Sequence, residues 1–308
     1  MDGQAPTLAV IDLGTNTFHL LIVQGRDAAG NFREIYRERR FVKLAEDGIE
    51  TIGAAPYQRG LESLVHFRKI MDEHDVSRYQ ANGTAALRTA TNGQQFMFAA
   101  LEQANISINL ISGDEEARLI TKGVLAALPP LGNDRILIMD IGGGSVEFII
   151  AEAEGTLWAQ SFPVGVAVLK RRFHQQEPIG TDELGSLIDF LQTSLTPLWA
   201  ALTNYPTRHL VGAAGTFDVI AHLMSSEQPT PHCHAITLDS FQAFYERCVG
   251  ANLEERLTMP GLPAQRADLM VVALVLIKVV LTGANIQRTT VSNYAMKEGI
   301  LTEMMQAK

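Results

Sequence analysis

Leu8-Ala9-Val10-Ile11-Asp12-Leu13-Gly14-Thr15-Asn16-Thr17 and Ile136-Leu137-Ile138-Met139-Asp140-Ile141-Gly142-Gly143-Gly144-Ser145 follow one pattern, written twice in the chain. In each, an apolar run of the kind that fills a buried strand reaches an aspartate, one more aliphatic residue and then a glycine. Each returns as a second apolar run, Phe18-His19-Leu20-Leu21-Ile22-Val23 in the first case and Val146-Glu147-Phe148-Ile149-Ile150 in the second. The pattern predicts two β-hairpins with polar, glycine-rich turns, each first strand ending in a carboxylate. The aspartates stand 128 positions apart, close to one domain length, which predicts duplicated halves.

Strands and helices alternate outward from these hairpins. Phe32 to Val42 reads as a third strand, and Leu61, Leu64, Val65 and Met71 mark the apolar face of a helix over about 57–75. Ile106 to Ile111 is a short strand, followed by a helix whose face carries Ala117, Ile120, Val124 and Leu128. Pro129-Pro130-Leu131-Gly132-Asn133 stops that helix and marks the boundary between domains, 1–128 and 129–293. In the second half, Thr156 to Phe162 reads as a strand, and Asp182 to Leu202 and Gln265 to Thr282 as long helices. Leu210-Val211-Gly212-Ala213-Ala214-Gly215-Thr216 is another strand entering a glycine turn. A last helix, about 294–308, is expected to pack back on the first domain. The alternation predicts an α/β fold.

Composition narrows the function. The 308 residues are 46% hydrophobic and 19% charged, as expected of a chain that folds into cores of its own. Acidic residues outnumber basic ones 34 to 25, for a net charge of −9, the wrong sign for a broad nucleic-acid surface. An anionic ligand must therefore be captured by a few aimed groups. Cys233 and Cys248 make no disulfide framework, and Met1-Asp2-Gly3-Gln4 lacks the basic start of a secretory signal. The apolar run Leu269 to Ile277 is too short to span a bilayer. A reduced, cytoplasmic location without membrane contact is the expectation.

Several residues are suited to phosphate chemistry. Glycine has no Cβ, so the N–H groups of a glycine turn can converge on a phosphate. The hydroxyls of Thr15, Thr17 and Ser145 and the amide of Asn16 add donors. One such turn is most simply a tight turn. Two matching turns, each beside an aspartate, predict a cleft walled by Asp12 and Asp140 that holds a phosphate against Mg²⁺. Arg88, in Gly83-Thr84-Ala85-Ala86-Leu87-Arg88-Thr89, follows a short strand and fits a phosphate clamp. Asp114, Glu115 and Glu116 open a helix after Ser112-Gly113. Acids there complement the helix dipole, and one of the three could also serve as a general base for water. His232-Cys233-His234 lies between prolines with no further ligands at metal spacing, and reads as a loop. The basic clusters Lys170-Arg171-Arg172 and Arg37, Arg39, Arg40 with Lys43 are solvated faces or a path for a polyanion.

Taken together, Asp12-Leu13-Gly14-Thr15-Asn16-Thr17, Thr84-Ala85-Ala86-Leu87-Arg88, Ser112-Gly113-Asp114-Glu115-Glu116-Ala117-Arg118-Leu119 and Asp140-Ile141-Gly142-Gly143-Gly144-Ser145-Val146-Glu147 resemble the exopolyphosphatase / guanosine pentaphosphate phosphatase family. Pro163-Val164-Gly165-Val166-Ala167-Val168-Leu169, the Gly212–Thr216 turn and Lys297-Glu298-Gly299-Ile300-Leu301 extend the resemblance over almost the whole chain, in order. It implies two actin-like (ribonuclease H-like) domains with mixed sheets and an interdomain cleft.

The activity it implies is Mg²⁺-dependent hydrolysis of a terminal phosphoanhydride in inorganic polyphosphate or guanosine pentaphosphate. Carried over by motif, Glu116 becomes the catalytic base, and Arg88, Thr15, Asn16, Gly143, Gly144 and Ser145 bind phosphate. Asp140 and Glu147 serve the metal, with Asp12 facing them. Dimers occur in the family, so a homodimer is expected. Lys297 stands where members often have arginine and reads as a cleft-rim or packing position. The helical C-terminal extension of longer members is missing here, which implies distributive cleavage. A kinase or ATPase of the same fold would share the turns without needing the Ser112–Arg118 segment. A non-catalytic polyphosphate or nucleotide sensor would keep the turns and lose the base.

Overall fold

Both aspartate-bearing runs fold as the leading strands of hairpins. A computed structural model of the chain describes residues 5–28, 30–213 and 215–306. Ala214 of the second half's glycine turn, the four N-terminal residues, Ala29 and the last two residues of the helix expected over 294–308 lie outside the described residues. Packing divides the chain into one unit of Met1–Glu116 with Lys297–Lys308, and a second of Ala117–Met296.

The first unit opens with β1 (Thr7–Leu13), β2 (Thr17–Arg26) and β3 (Phe32–Phe41). There follow α1 (Ala54–Glu73), β4 (Arg78–Gly83), α2 (Ala85–Thr89), α3 (Gly93–Ala104), β5 (Ile108–Leu110) and the start of α4 (Gly113–Ala127). The sheet order is β3-β2-β1-β4-β5. The β1–β2 and β2–β3 pairs are antiparallel, whereas β4 and β5 join β1 in parallel. Leu8 to Ile11 of β1 are all buried, which is why that strand is a continuous apolar run rather than an alternating one. Phe18, Phe67 and Phe96, all fully buried, anchor the core under α1 and α3.

The second unit repeats the plan with β6 (Ile136–Ile141), β7 (Val146–Glu152) and β8 (Gly155–Phe162). Next come α5 (Val166–Phe173), α6 (Thr181–Ser194), α7 (Thr196–Asn204), β9 (His209–Ala213) and α8 (Gly215–Met224). A further hairpin, β10 (Ser225–Thr230) and β11 (Cys233–Ile236), precedes α9 (Leu238–Val249), α10 (Leu253–Leu257), α11 (Ala264–Ala267), α12 (Met270–Gly283) and β12 (Arg288–Ser292). The final helix, α13 (Met296–Gln306), packs with the first unit. The sheet runs β10-β11-β12-β9-β6-β7-β8. Without the added hairpin, β8-β7-β6-β9-β12 has the order and strand directions of the first sheet. Two α/β units with this repeated mixed sheet constitute the actin-like architecture. Helix α12 is apolar all round, and its residues from Met270 to Ile277 are buried without exception, as a core helix requires.

Three elements differ from the sequence reading. The expected helix over 182–202 is two helices, because Pro197 cannot donate a helical hydrogen bond and opens α7. The expected helix over 265–282 is likewise split into α11 and α12. By packing, the change from the first unit to the second falls inside α4, after Glu116. Beyond Glu116 the helix is tied to the second unit. The Thr156 hydroxyl donates to Thr121 Oγ1 at 2.9 Å, and the Thr230 hydroxyl to the Ala127 carbonyl at 2.6 Å. Of His232-Cys233-His234 only His232 lies in a turn, since Cys233 and His234 open β11, which pairs with β12. His232 stacks on Tyr294 at 4.1 Å, and His234 bonds Ser225 and Asn293, so both rings serve the sheet edge.

Candidate active site

In an α/β sheet the carboxyl ends of parallel strands are the usual place for a ligand. Asp12 pairs with Asn82, and Gly83 with Leu110, so β1, β4 and β5 end at one edge of the first sheet. That edge carries the β1–β2 turn, Thr84, Arg88 and the first turn of α4. The turn is closed by the Gly14 N–H donating to the Thr17 carbonyl at 3.0 Å. Its carbonyls are occupied from behind: Asn16 accepts from the Val42 and Lys43 amides, and Thr15 from the Leu44 amide. A trans peptide puts each N–H opposite the preceding carbonyl, so the Asn16 and Thr17 amides face away from that backing segment.

At the start of α4, burial separates the three acids. Asp114 is exposed, Glu115 half-buried and Glu116 buried, 8% exposed. The Ser112 hydroxyl accepts from the Glu115 amide at 3.2 Å and caps the helix start. Arg88 Nη1 lies 3.5 Å from Glu116 Oε2 and donates to the Ile111 carbonyl at 2.6 Å. Its guanidinium is therefore aimed along the same edge as the carboxylate. Burial pushes the Asp12 carboxyl up to about 6, with Lys297 pulling it down and Glu298 pushing it up. Lys297 and Glu298 open α13 and are 7% and 1% exposed, and Arg37 Nη2 pairs with Glu298 Oε1 at 3.2 Å. Lys297 is thus a buried charge acting on Asp12, not a rim residue. Asn82, fully buried on the strand beside Asp12, has an Nδ2 donor with no hydrogen-bond partner among the described residues.

The second unit builds its turn in the same manner. Gly142 N–H donates to the Ser145 carbonyl at 3.0 Å, and the carbonyls of Gly142, Gly143 and Gly144 accept from Val166, Ala167 and Gly165. The amides of Gly143, Gly144 and Ser145 therefore face the opposite way, three donors in succession, a nest for an anion. Gly165 must be glycine, because a Cβ there would collide with the backbone of Gly143 and Gly144. Asp140 and Glu147 are directly paired across β6 and β7, so their side chains share one sheet face. Glu147, 2% exposed, accepts at Oε1 from the hydroxyls of Ser145 (2.7 Å) and Ser161 (2.8 Å). Gly215, at φ +51°, turns from β9 into α8, with the buried Arg266 guanidinium about 4 Å from where its Cβ would stand.

These placements bear on Mg²⁺. Among the described residues no group of three or more His, Cys, Asp or Glu surrounds a common point, so a closed cage is not built. Mg²⁺ is commonly held by one or two carboxylates, with waters and substrate phosphates completing the shell. Asp140 and Glu147, hard oxygen donors on one face beside an amide nest, fit that mode.

The first unit thus brings Asp12, Thr15, Asn16, Arg88 and Glu116 to one edge, and the second brings Asp140, Gly143, Gly144, Ser145 and Glu147 to another. Arg266, Asn82 and the Lys297–Glu298 pair were not singled out for the site from sequence. Only the last had a visible signal, as a motif near the end of the chain.

Comparison with known proteins agrees with this architecture. Residues 21–308 match the model of the Ppx/GppA phosphatase family. The crystal structure of an exopolyphosphatase from Cytophaga hutchinsonii ATCC 33406 is 36% identical and covers 97% of this chain and 98% of its own, with a TM-score of 0.91. The Aquifex aeolicus family member, 22% identical with 98% of each chain covered, shares the fold at a TM-score of 0.81. A guanosine-5'-triphosphate,3'-diphosphate pyrophosphatase from Photobacterium profundum is 30% identical over 303 residues, 98% of this chain. This chain spans 60% of that relative's length. With the motifs in order along the repeated sheets, the chain belongs to the Ppx/GppA phosphatase family.

Proposed function

We propose that the protein hydrolyses the terminal phosphoanhydride of inorganic polyphosphate or of guanosine pentaphosphate, with Mg²⁺ bound at Asp140 and Glu147. The observation that carries this reading is the Arg88–Glu116 pair. Of the three acids opening α4, only Glu116 is buried, and it stands 3.5 Å from a guanidinium on a carboxyl edge. Glu116 accepts a proton from water as the water oxygen bonds to the terminal phosphorus. The bond from that phosphorus to the bridging oxygen breaks, and the shortened chain leaves with the electron pair. Arg88 stabilises charge on the transferring phosphoryl oxygens, as do the outward-facing turn amides. The metal, when bound, neutralises charge on the phosphate oxygens.

A panel of tripolyphosphate, long polyphosphate, guanosine pentaphosphate and ATP, each assayed for free phosphate, tests the reading. Phosphate release from polyphosphate or guanosine pentaphosphate, abolished by chelator, is expected. Transfer of the phosphoryl group to an acceptor without release would make it a kinase. Binding without turnover of any of the four would make it a sensor.

A further inference from the structure

The opposite end of the second sheet carries a second basic site. Arg135 precedes β6, Arg208 precedes β9 and Arg288 opens β12, so three arginines stand where parallel strands begin. They line a cavity of about 660 Å³ together with Asn133, Thr207 and Gln287. That is within the range of roughly 300–1,000 Å³ typical of small-molecule sites. We propose that this cavity binds an anion bearing a diphosphate group, separately from the carboxyl edge where Asp140 lies.

The cavity is a built feature. The Arg208 carbonyl accepts from the Gln287 and Arg288 amides at 2.9 and 3.1 Å, locking the starts of two strands together. Arg288 Nη2 lies 2.7 Å from His209 Nδ1, while His209 Nε2 lies 2.8 Å from the Thr290 hydroxyl. The imidazole therefore holds the Arg288 guanidinium in place. Arg135 is steadied by Glu152 at 3.6 Å and by the Tyr205 ring at 5.9 Å. Arg208, by contrast, is exposed and makes no side-chain hydrogen bond or ion pair with any described residue.

Among the described residues, the only carboxylate lining the cavity is Asp134, which approaches Arg288 no closer than 3.8 Å. Glu152 offsets Arg135 and Asp134 faces Arg288, so the exposed Arg208 leaves a local surplus of one positive charge in a chain of net charge −9. Forked guanidinium groups suit the paired oxygens of phosphate, and several of them suit two linked phosphates. Strands rise about 3.3 Å per residue, so the six residues of β6 put roughly 20 Å between this cavity and the far turn.

Hydrogen–deuterium exchange of the full chain with methylenediphosphonate, which cannot be hydrolysed, reads the two sheet ends separately. Protection is expected across residues 133–136 and 206–209. Arg208→Ala should raise the half-saturating concentration there about tenfold or more, since a charge-assisted bond is lost. Asp134→Asn should lower it. An arm with the α,β-methylene analogue of guanosine diphosphate distinguishes the source. Tighter binding at the same segments points to a nucleotide-borne diphosphate, and equal binding to the inorganic form. If neither probe protects these segments, or Arg208→Ala binds as the parent does with its thermal stability intact, the site does not exist.

Discussion

The β1–β2 and β6–β7 turns share a frame and differ in what they present. Each is closed by the same glycine-to-carbonyl bond of 3.0 Å, and each has its carbonyls taken by a backing segment. A hydroxyl at the same place then meets the side chain opposite the aspartate. In the second unit Ser145 donates to Glu147 at 2.7 Å, and in the first Thr17 lies 2.9 Å from His19 Nε2. Asp140 pairs across the hairpin with Glu147, Asp12 with His19. A carboxylate pair beside an all-glycine turn suits a cation-bridged phosphate. An imidazole beside Thr15 and Asn16 suits phosphate oxygens met directly by donors. The frame is the same in both turns, and what separates them is imidazole for carboxylate opposite the aspartate and Thr15-Asn16 for Gly143-Gly144.

The largest test of this division concerns Glu116 of the first unit, the proposed general base. Glu116→Gln keeps the shape and removes the proton acceptor. Turnover should fall by about 10²–10⁴, with KM little changed. Glu115→Gln, at a half-buried position, should lose less than about threefold on the same scale. Equal losses would place the base elsewhere in the helix start.

Next in size is the exchange itself. Glu147→Gln leaves an oxygen for the Ser145 and Ser161 hydroxyls but removes the charge, and should lower kcat by about one to two orders of magnitude while raising the Mg²⁺ needed for half activity. His19→Gln should cost less than about threefold. Matching losses from the two variants, with matching metal dependence, would show that the turns are chemically equivalent.

Backing segments give a smaller and purely steric contrast. Gly165→Ala drives a Cβ into the Gly143–Gly144 backbone, whereas a Cβ on Gly14 meets only the Thr17 carbonyl, at 3.0 Å. Overpacking of the first kind costs about 1–3 kcal/mol, and Gly14→Ala should cost less. Denaturant unfolding of the two variants measures the difference.

The hairpins were legible because buried strands leave unbroken apolar runs, and the duplication because both runs end in aspartate, aliphatic residue and glycine. Gly165 was visible as part of a motif, but its reason lies in a contact with Gly143 that no spacing encodes. The unit boundary inside α4 was hidden for a similar reason. The Thr121–Thr156 and Ala127–Thr230 bonds that assign the helix to the second unit join residues far apart in sequence. Lys297 and Glu298 reach Asp12 only because the chain's last helix returns to the first unit. Arg266 and Asn82 carried no local pattern at all.

Acidity should pull the units in opposite directions, and this is the finest test of their difference. In the first, burial raises the Asp12 pKa from 3.8 to about 6, so the folded state holds a proton that the unfolded chain releases between those values. That contribution favours folding as pH falls from about 6 towards 4. In the second, burial and Arg288 lower the His209 pKa from 6.5 to about 4, and burial lowers that of His174 as well. The unfolded chain then binds the extra protons, so these groups stabilise the fold above pH 6.5 and lose that effect as pH falls towards 4. Amide exchange at pH 7 and pH 5, corrected for intrinsic rates, should show β9 and β12 losing protection by about tenfold relative to β1 and β4. His209→Gln, which has no proton to gain, should shrink that gap. An unchanged gap in the variant, or first-unit strands that lose protection as fast as the second, would mean that neither buried group governs its unit's response to acid.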